Sequence, residues 1–370
     1  MKMLFACVFS LGLPARRAVL VASAIILLLN VDPGVSATPP VAPRQPWVGS
    51  PGICETTRHI MARNTAQLGS STRPFRPARK HPVGRMEDAN LLADAASSDV
   101  PSVGGSPGES APVSAAQSSG INFTGATLTD TGAFPPDSMG GVGPSQVIVA
   151  VNGRIRSFNK STGVADGVLN VDTDVFFNSV LTPPATNNFT SDPRIRYDRL
   201  SGRWFVVMID VPQKSGAIPN RIMIAVSGAG VITPSTLWTF FQFEQDVPTP
   251  TSHTDNGKFA DYPTLGIDAN AVYVGVNIFA TRGLGSFSST TAFVIRKSSL
   301  LTGGPIVVTP FRGLASNSPN DSGPFTPQGV DNYDPAATEG YIIGVSSRLL
   351  GQLALHHHNQ FDQLSFFQLL

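Results

Sequence analysis

Cysteine and charge are both scarce in this sequence, and each scarcity excludes a class of protein. Only Cys7 and Cys54 occur in 370 residues, and Cys7 falls within the N-terminal export signal described below, so no intramolecular disulfide can support the mature fold. Charged residues make up 14% and the formal net charge is +1, so the composition predicts no nucleic-acid partner. Phosphate-binding loops, His-Glu-x-x-His and paired Cys-x-x-Cys motifs are also missing, which excludes those nucleotide and metal signatures.

Turn-forming residues are abundant instead, with 35 glycines and 31 prolines, while 41% of the residues are hydrophobic. This combination predicts many short strands around a sizeable core, because glycine and proline interrupt regular elements and fit turns. The length suits one large all-β domain or two ordinary ones.

The N-terminus has the features of an export signal. Lys2, Arg16 and Arg17 precede an apolar run over residues 18–29, and small residues at 35–37 match a signal-peptidase site. We therefore expect a signal peptide over residues 1–37 and a periplasmic, cell-surface or extracellular protein, by the Sec or the twin-arginine route. The run of 12 residues is shorter than the roughly 20 of a membrane-spanning helix, so no stable membrane insertion is expected after cleavage, with a membrane anchor as the alternative.

Residues 38–120 are predicted to form a disordered spacer. They are rich in proline at 38–51, basic at 58–85 and rich in Ser, Gly, Pro and Ala at 97–120. Such compositions bury too little apolar surface to offset the entropy lost on ordering. A polyanion-binding role for the basic stretch is the alternative.

From residue 121 onward the chain alternates short β-type runs with turns. Residues 146–158 predict a β-hairpin around Asn152-Gly153, because both turn residues tolerate a positive φ. Residues 191–210 have the same strand–turn–strand pattern, with period-2 alternation before an apolar run.

Similar segments recur at long intervals. The aspartates that begin them, Asp137, Asp192, Asp261 and Asp331, lie 55, 69 and 70 residues apart. This loose period predicts four-stranded antiparallel blades, which bury their faces by stacking around an axis as in a β-propeller. We expect an all-β, β-propeller-like domain over residues 121–355, with a β-sandwich as the main alternative.

Four stretches carry a resemblance to bacterial secreted β-propeller proteins: residues 134–144 (FPPDSMGGVGP), 192–198 (DPRIRYD), 201–205 (SGRWF) and 261–268 (DYPTLGID). More distantly, the Asp-Pro-x-Ile/Val-x-Tyr-Asp unit is similar to the repeats of sialidase-like propellers. The Ser-x-Asp-x-Gly-x-Thr-Trp box of those repeats is absent, and no arginine triad with a tyrosine nucleophile can be assembled. The resemblance therefore implies a fold and no sialidase chemistry.

The C-terminus departs from the repeat. The resemblance implies a closed ring of about six or seven blades, whereas the sequence has room for about four. Residues 356–370 begin with three histidines and have four apolar residues among the last five, which is unlike the repeated segments before them. We expect an incomplete propeller followed by an atypical tail, as in a truncated or frame-shifted product.

The repeated aspartates are the candidate site. If each begins an innermost strand, Asp137, Asp192, Asp261 and Asp331 gather at one end of the axis as ligand-binding residues. Asp192, Asp261 and Asp331 are then candidate ligands for Ca²⁺, which takes six to eight oxygens. A carboxylate pair would alternatively supply acid and base for glycoside cleavage. The structural alternative is that each aspartate caps main-chain N–H groups within its blade.

Function stays open between two classes. The first is an exported binding or scaffold protein that presents the propeller face to an extracellular glycan or protein. The second is an extracellular glycoside hydrolase or lyase that uses the axial carboxylates. His253 and Asp255 share a polar loop and are a weaker candidate dyad. No cofactor is required by the sequence, although calcium is compatible with it.

Overall fold

Short apolar runs bounded by turn residues become strands throughout the described part of the chain. The structure is a computed structural model that describes residues 45–68, 119–181, 188–212, 220–248, 253, 255–280, 287–314, 324–346 and 364–369. These residues all belong to one compact unit. In chain order the elements are β1 (Trp47–Pro51), β2 (Ile53–Thr56), α1 (Thr57–Leu68), α2 (Leu128–Thr131), β3 (Met139–Val142), β4 (Gln146–Val151), β5 (Arg154–Asn159), β6 (Ala165–Val171), α3 (Thr173–Phe176), β7 (Phe189–Asp198), β8 (Arg203–Val211), β9 (Arg221–Ser227), β10 (Leu237–Glu244), β11 (Phe259–Asp261), β12 (Gly266–Ile267), β13 (Ala271–Phe279), β14 (Phe287–Arg296), α4 (Lys297–Thr302), β15 (Pro305–Arg312), β16 (Pro324–Gly329), β17 (Gly340–Ser346) and β18 (Leu364–Leu369).

The described strands form four antiparallel sheets, which we call the first to fourth blades. The first has the order β3-β4-β5-β6, and the second has the order β7-β8-β9-β10 with β2 added outside β10. The third has the order β11-β13-β14-β15, with β12 also beside β13 and β1 outside β15, and the fourth is β16-β17-β18. We call β3, β7, β11 with β12, and β16 the innermost strands, because β3 contacts β7 and β12 contacts β16 across the blade junctions.

The fold is all-β, and its repeating unit is the antiparallel blade of a propeller-like architecture, as the sequence predicted. The number of blades among the described residues, four, also agrees with the prediction. The blades differ in width, since three to six strands replace the uniform four that were expected. The predicted hairpin is confirmed, because Val151 pairs with Arg154 across a turn in which Gly153 has a φ of +85°.

The second blade is buried on both faces, and β8 illustrates how. Side chains at even positions from Trp204 to Met208 enter a core shared with the first blade. Side chains at odd positions from Phe205 to Ile209 enter a core shared with the third blade. Because successive side chains of a strand point to opposite faces, one continuous apolar run serves two cores.

The third and fourth blades approach each other through glycine. A Cβ on Gly266 would lie 2.2 Å from the carbonyl carbon of Gly329, so no larger side chain fits at this contact. The apolar core at this junction is small and consists of Ala271, Tyr273, Ala292 and Ile342. The third and fourth blades are therefore joined largely by close contact between their main chains, whereas large side chains join the other blades.

Residues 47–68 correct the prediction of a spacer that is disordered from 38 to 120. The strand β1 pairs with β15 of the third blade and β2 pairs with β10 of the second, so one segment adds an outer strand to two blades. The helix α1 follows, and its Ile60 is fully buried in the core between the first and second blades. Local composition does not reveal this order, because it depends on pairing with the edges of strands far away in sequence.

The strand β18 corrects the predicted boundary at the C-terminus. We expected an atypical tail over residues 356–370, but residues 364–369 form the third strand of the fourth blade. The predicted signal peptide, residues 1–37, and residues 69–118 of the predicted spacer lie outside the described residues. Within the described residues, no helix is long and apolar enough to span a membrane.

Candidate functional site

Each blade has one non-glycine residue with a positive φ, on its innermost strand or within two residues of it. These residues are Asp137, Asp192, Tyr262 and Thr326, with φ values of 43°, 57°, 53° and 49°. No other non-glycine residue has a positive φ in the part of the chain that the structure describes. Because this conformation is costly for residues with a side chain, its recurrence in four blades marks a shared element of the repeat. We call these four residues the axial ring.

The axial ring realigns the repeat that the sequence suggested. Asp192, Tyr262 and Thr326 each precede a proline, so the repeated unit is a positive-φ residue followed by proline. Asp261 is displaced by one position and precedes Tyr262. Alignment on proline would have found Tyr262 and Thr326, which a search for repeated aspartates missed.

Asp137 and Asp192 are brought together by one asparagine. Asn152 Nδ2 donates to the Asp137 carboxylate at 2.6 Å, and the Asp192 N–H donates to Asn152 Oδ1 at 2.8 Å. The Ser191 hydroxyl donates to the Asp192 carboxylate at 3.1 Å. Asp192 is only 4% exposed, whereas Asp137 is half-buried. Both aspartates help to join the first two blades, and Asp137 is the more accessible.

Asp261 and Asp331 lie at different places along the innermost strands. Asp261 is buried at the end of β11. Asp331 follows β16 and lies toward the opposite ends of the innermost strands, where it accepts the Ile267 N–H at 3.0 Å and Arg196 Nε at 3.1 Å. The expected gathering of all four aspartates at one end is therefore wrong for Asp331, because this residue follows its strand and does not begin it.

The three predicted calcium ligands do not form one carboxylate cluster. Among the described residues, which include Asp192, Asp261 and Asp331, no group of three or more His, Cys, Asp or Glu side chains is arranged to hold a metal ion. Calcium binding that relies on fewer carboxylates, with main-chain oxygens completing the site, stays a prediction.

Buried asparagines bridge the junctions between the described blades. Asn152 joins the first blade to the second, and Asn220 joins the second to the third through the N–H and carbonyl of Ala260, at 2.9 and 2.6 Å. Asn277 joins the third to the fourth, because it accepts the Thr326 N–H at 2.8 Å and donates to the Thr326 hydroxyl at 3.0 Å. An amide carries a donor and an acceptor, so it replaces a missing β-ladder partner. Sequence reasoning missed these residues, although Asn277 is conspicuous as a polar residue within the apolar run of β13.

Arg194 supports the ring of Tyr262. Its guanidinium carbon lies 4.4 Å from the centroid of the Tyr262 ring, a cation–π arrangement. Arg194 Nε donates to the Pro263 carbonyl at 2.6 Å, and Nη1 donates to the Pro193 carbonyl at 3.3 Å. Arg194 is 4% exposed, while Tyr262 is half-buried. The result is an aromatic ring held in place by a buried cation, with part of its surface open to solvent.

Ion pairs connect the blades at the opposite ends of the innermost strands. Lys297 Nζ lies 2.7 Å from the Asp198 carboxylate, and the two side chains are 2% and 1% exposed. The pair of Arg196 with Asp331 is more open, with side chains 35% and 28% exposed. Tyr333 is 44% exposed at this end. Ion pairs thus help to connect the blades at this end, whereas asparagine side chains help to connect them around the axial ring.

His253 does not form the dyad that its loop suggested. Its Nδ1 accepts the main-chain N–H of Asp255 at 3.1 Å. The Asp255 carboxylate is fully buried and accepts Arg312 Nη1 at 2.9 Å and the Thr291 hydroxyl at 2.6 Å. This cluster therefore stabilises the third blade and presents no acid–base pair to solvent.

Comparisons with known proteins add little to this geometry. No family model and no curated protein matches the chain. Among solved structures, a native arabinanase of Bacillus subtilis has 13% identity, covers 57% of this chain and 88% of its own, and has a TM-score of 0.23. An exo-1,5-α-L-arabinanase from a bovine ruminal metagenomic library has 10% identity, covers 57% of this chain and 87% of its own, and has a TM-score of 0.22. At these TM-scores neither likeness decides the function.

Proposed function

We propose that this chain is an exported, β-propeller-like binding protein whose axial ring holds an extracellular glycan. The observation that carries the proposal is the composition of the ring, in which the half-buried Tyr262 and the half-buried Asp137 occupy equivalent positions of different blades. An aromatic ring offers an apolar face on which a sugar can stack, and a carboxylate accepts hydrogen bonds from sugar hydroxyls. A few well-placed polar groups beside an aromatic surface are what a small-ligand site requires.

The positioning of these groups supports fixed recognition. Arg194 holds the Tyr262 ring from one side, and Asn152 holds the Asp137 carboxylate at 2.6 Å. Side chains that are ordered before the ligand arrives lose less conformational entropy on binding. A glycan is therefore favoured over a protein ligand, because the half-buried ring and the half-buried carboxylate suit a small rigid unit better than a large flat surface.

A glycan-array measurement with the full chain tests this proposal. We expect wild-type protein to bind a restricted set of glycans, and Asp137→Asn to bind the same set about tenfold more weakly, because a hydrogen bond to a charged acceptor is lost. Asp334→Asn is the matched control, since Asp334 is exposed in a turn away from the ring. Absence of glycan binding, or equal weakening by both variants, would reject the proposal in favour of a protein ligand or a structural ring.

A hydrolase is the second candidate, because one amide joins the Asp137 carboxylate to the main chain of Asp192 on the adjacent innermost strand. Polysaccharides incubated with wild-type protein, Asp137→Asn and Asp192→Asn provide the test. The binding proposal predicts no release of reducing ends by any of the three proteins. Release by the wild type that both substitutions abolish would replace the binding proposal by a carboxylate mechanism.

Calcium is the ion to add in these experiments. A rise in the Tm of the full chain on adding Ca²⁺, lost in Asp192→Ala, would support a metal site at the axial ring. An unchanged Tm in wild-type protein would reject it. Export is tested separately by N-terminal sequencing of protein secreted from a bacterial host, for which we expect a mature chain that starts at residue 38.

A further inference from the structure

The third blade has a cavity on the face that it turns toward the fourth blade, with a volume of about 250 Å³. Its floor consists of side chains two positions apart on β13, β14 and β15, which therefore point to the same side of the sheet. Strand pairing arranges them in two rows, Ala271 with Arg296 and Val307, and Tyr273 with Val294 and Thr309.

Two segments far apart in sequence border the cavity beside this floor. Glu339 precedes the fourth-blade strand β17, whose Ile342 packs against Ala271 and Tyr273. Pro46 precedes the N-terminal strand β1.

Two side chains of opposite charge line this space. Arg296 is exposed at one side, and Glu339 is half-buried at another. Glu339 Oε2 accepts the Tyr341 hydroxyl at 2.8 Å, and in the described part of the chain Arg296 and Glu339 form no ion pair with each other. A cation and an anion that line one cavity without pairing with each other can each bind the opposite charge of a ligand.

Asp268, the other acid that lines the cavity, already accepts hydrogen bonds from groups of the protein. The Asp268 carboxylate accepts the Tyr273 hydroxyl at 2.5 Å and the main-chain N–H groups of Asn270 and Ala271 at 2.7 Å. Burial and this hydrogen bond to Asp268 both raise the pKa of Tyr273, so its phenol stays neutral. Charge recognition in the cavity therefore falls to Arg296 and Glu339.

We propose that this cavity binds a small zwitterion with an apolar body, namely a free apolar α-amino acid such as leucine. Arg296 pairs with the ligand carboxylate, Glu339 with its ammonium group, and the half-buried Val294 and Val307 contact its side chain. The volume corresponds to about eight water molecules, which suits a single amino acid and is smaller than a drug-sized site. The site lies on the side of the third blade and is independent of the axial ring.

Titration calorimetry of the full chain with L-leucine tests the proposal. We expect saturable binding that Arg296→Ala weakens about tenfold or more, because a charge-assisted hydrogen bond is lost. Arg58→Ala is the matched control, since Arg58 is an exposed arginine on α1, outside the cavity, and it should bind leucine like the wild type. The neutral analogue N-acetyl-leucine amide should bind at least about tenfold more weakly than leucine, because neither charge is present.

A cavity-filling variant separates the site from the charge effect. Val307→Phe should abolish leucine binding by occupying the floor, while its Tm and circular dichroism report whether the blade is intact. Lack of saturable binding by wild-type protein would overturn the proposal. Equal binding by Arg296→Ala, equal binding of the neutral analogue, or retained binding by a folded Val307→Phe would also overturn it.

Discussion

The two ends of the innermost strands connect the blades by different chemistry. Around the axial ring, the bridges run through the amides of Asn152 and Asn277, which bind main-chain groups of the next blade. At the opposite end two of the bridges are ion pairs, with Lys297 buried against Asp198 and a more open pair between Arg196 and Asp331. An amide bridge satisfies the main chain and leaves neighbouring side chains free to vary, whereas an ion pair fixes both partners. This difference is consistent with our proposal that the axial ring is the recognition end, and it predicts a mainly structural role for the opposite end.

The largest effect is expected from breaking the buried ion pair at the structural end. Lys297→Met leaves Asp198 charged and buried without its partner, which should lower the free energy of unfolding by about 3–5 kcal/mol in urea titrations. The double variant Lys297→Met/Asp198→Asn should recover part of this loss, because no buried charge remains. A loss below about 1 kcal/mol in the single variant would mean that the pair contributes little to stability. The proposed difference between the two ends would then be wrong.

A smaller effect is expected from removing an amide bridge at the axial-ring end. Asn277→Ala leaves the Thr326 N–H without its acceptor, which should cost about 1–3 kcal/mol of unfolding free energy. Asn270→Ala is the matched control, because Asn270 also reaches the fourth blade, at the Ala337 carbonyl, but from an exposed position. It should change stability by less than about 0.5 kcal/mol. Equal losses in the two variants would show that burial of the bridge is irrelevant.

The exposed ion pair should contribute least at neutral pH. Arg196→Gln removes the partner of Asp331, but both side chains are partly solvated, so the expected loss is about 0.2–1 kcal/mol. Because solvent and salt screen such pairs, the loss should shrink when unfolding is repeated at high salt. A loss that is large and independent of salt would place this pair with Lys297 and Asp198.

The dependence of stability on pH tests one buried carboxylate of the second blade, Asp210. Burial raises the pKa of Asp210 above its usual value of 3.8, although the Arg221 N–H partly opposes the shift. The folded state therefore favours the neutral acid, and this contribution to stability is full below the unfolded pKa and is lost as pH rises through the folded pKa. Wild-type protein should lose unfolding free energy relative to Asp210→Asn over that rise. Parallel pH profiles for the two proteins would contradict this account.

The blades were predictable from sequence because their signals are local. Alternating or continuous apolar runs and the Asn152-Gly153 turn specify strands and hairpins without knowledge of distant residues. The N-terminal strands were not predictable in this way, because β1 and β2 gain their order by pairing with β15 and β10, far along the chain. Composition alone suggested a spacer there.

The candidate site was predicted only in part, for a related reason. Asp137 and Asp192 were identified, because an aspartate marks both positions. Tyr262 was missed, because three of the blades share a positive φ before proline but carry different side chains at that position. The bridge made by Asn277 and the burial of Lys297 against Asp198 depend on contacts between blades, which no local pattern encodes.

The most direct measurement compares two tyrosines at the two ends. Titration calorimetry with the best glycan from the array should give at least about tenfold weaker binding for Tyr262→Ala, because the sugar loses its stacking surface. Tyr333→Ala should bind like the wild type, since Tyr333 is 44% exposed at the opposite end. Unchanged affinity in Tyr262→Ala, or a matching loss in Tyr333→Ala, would contradict the assignment of recognition to the axial ring.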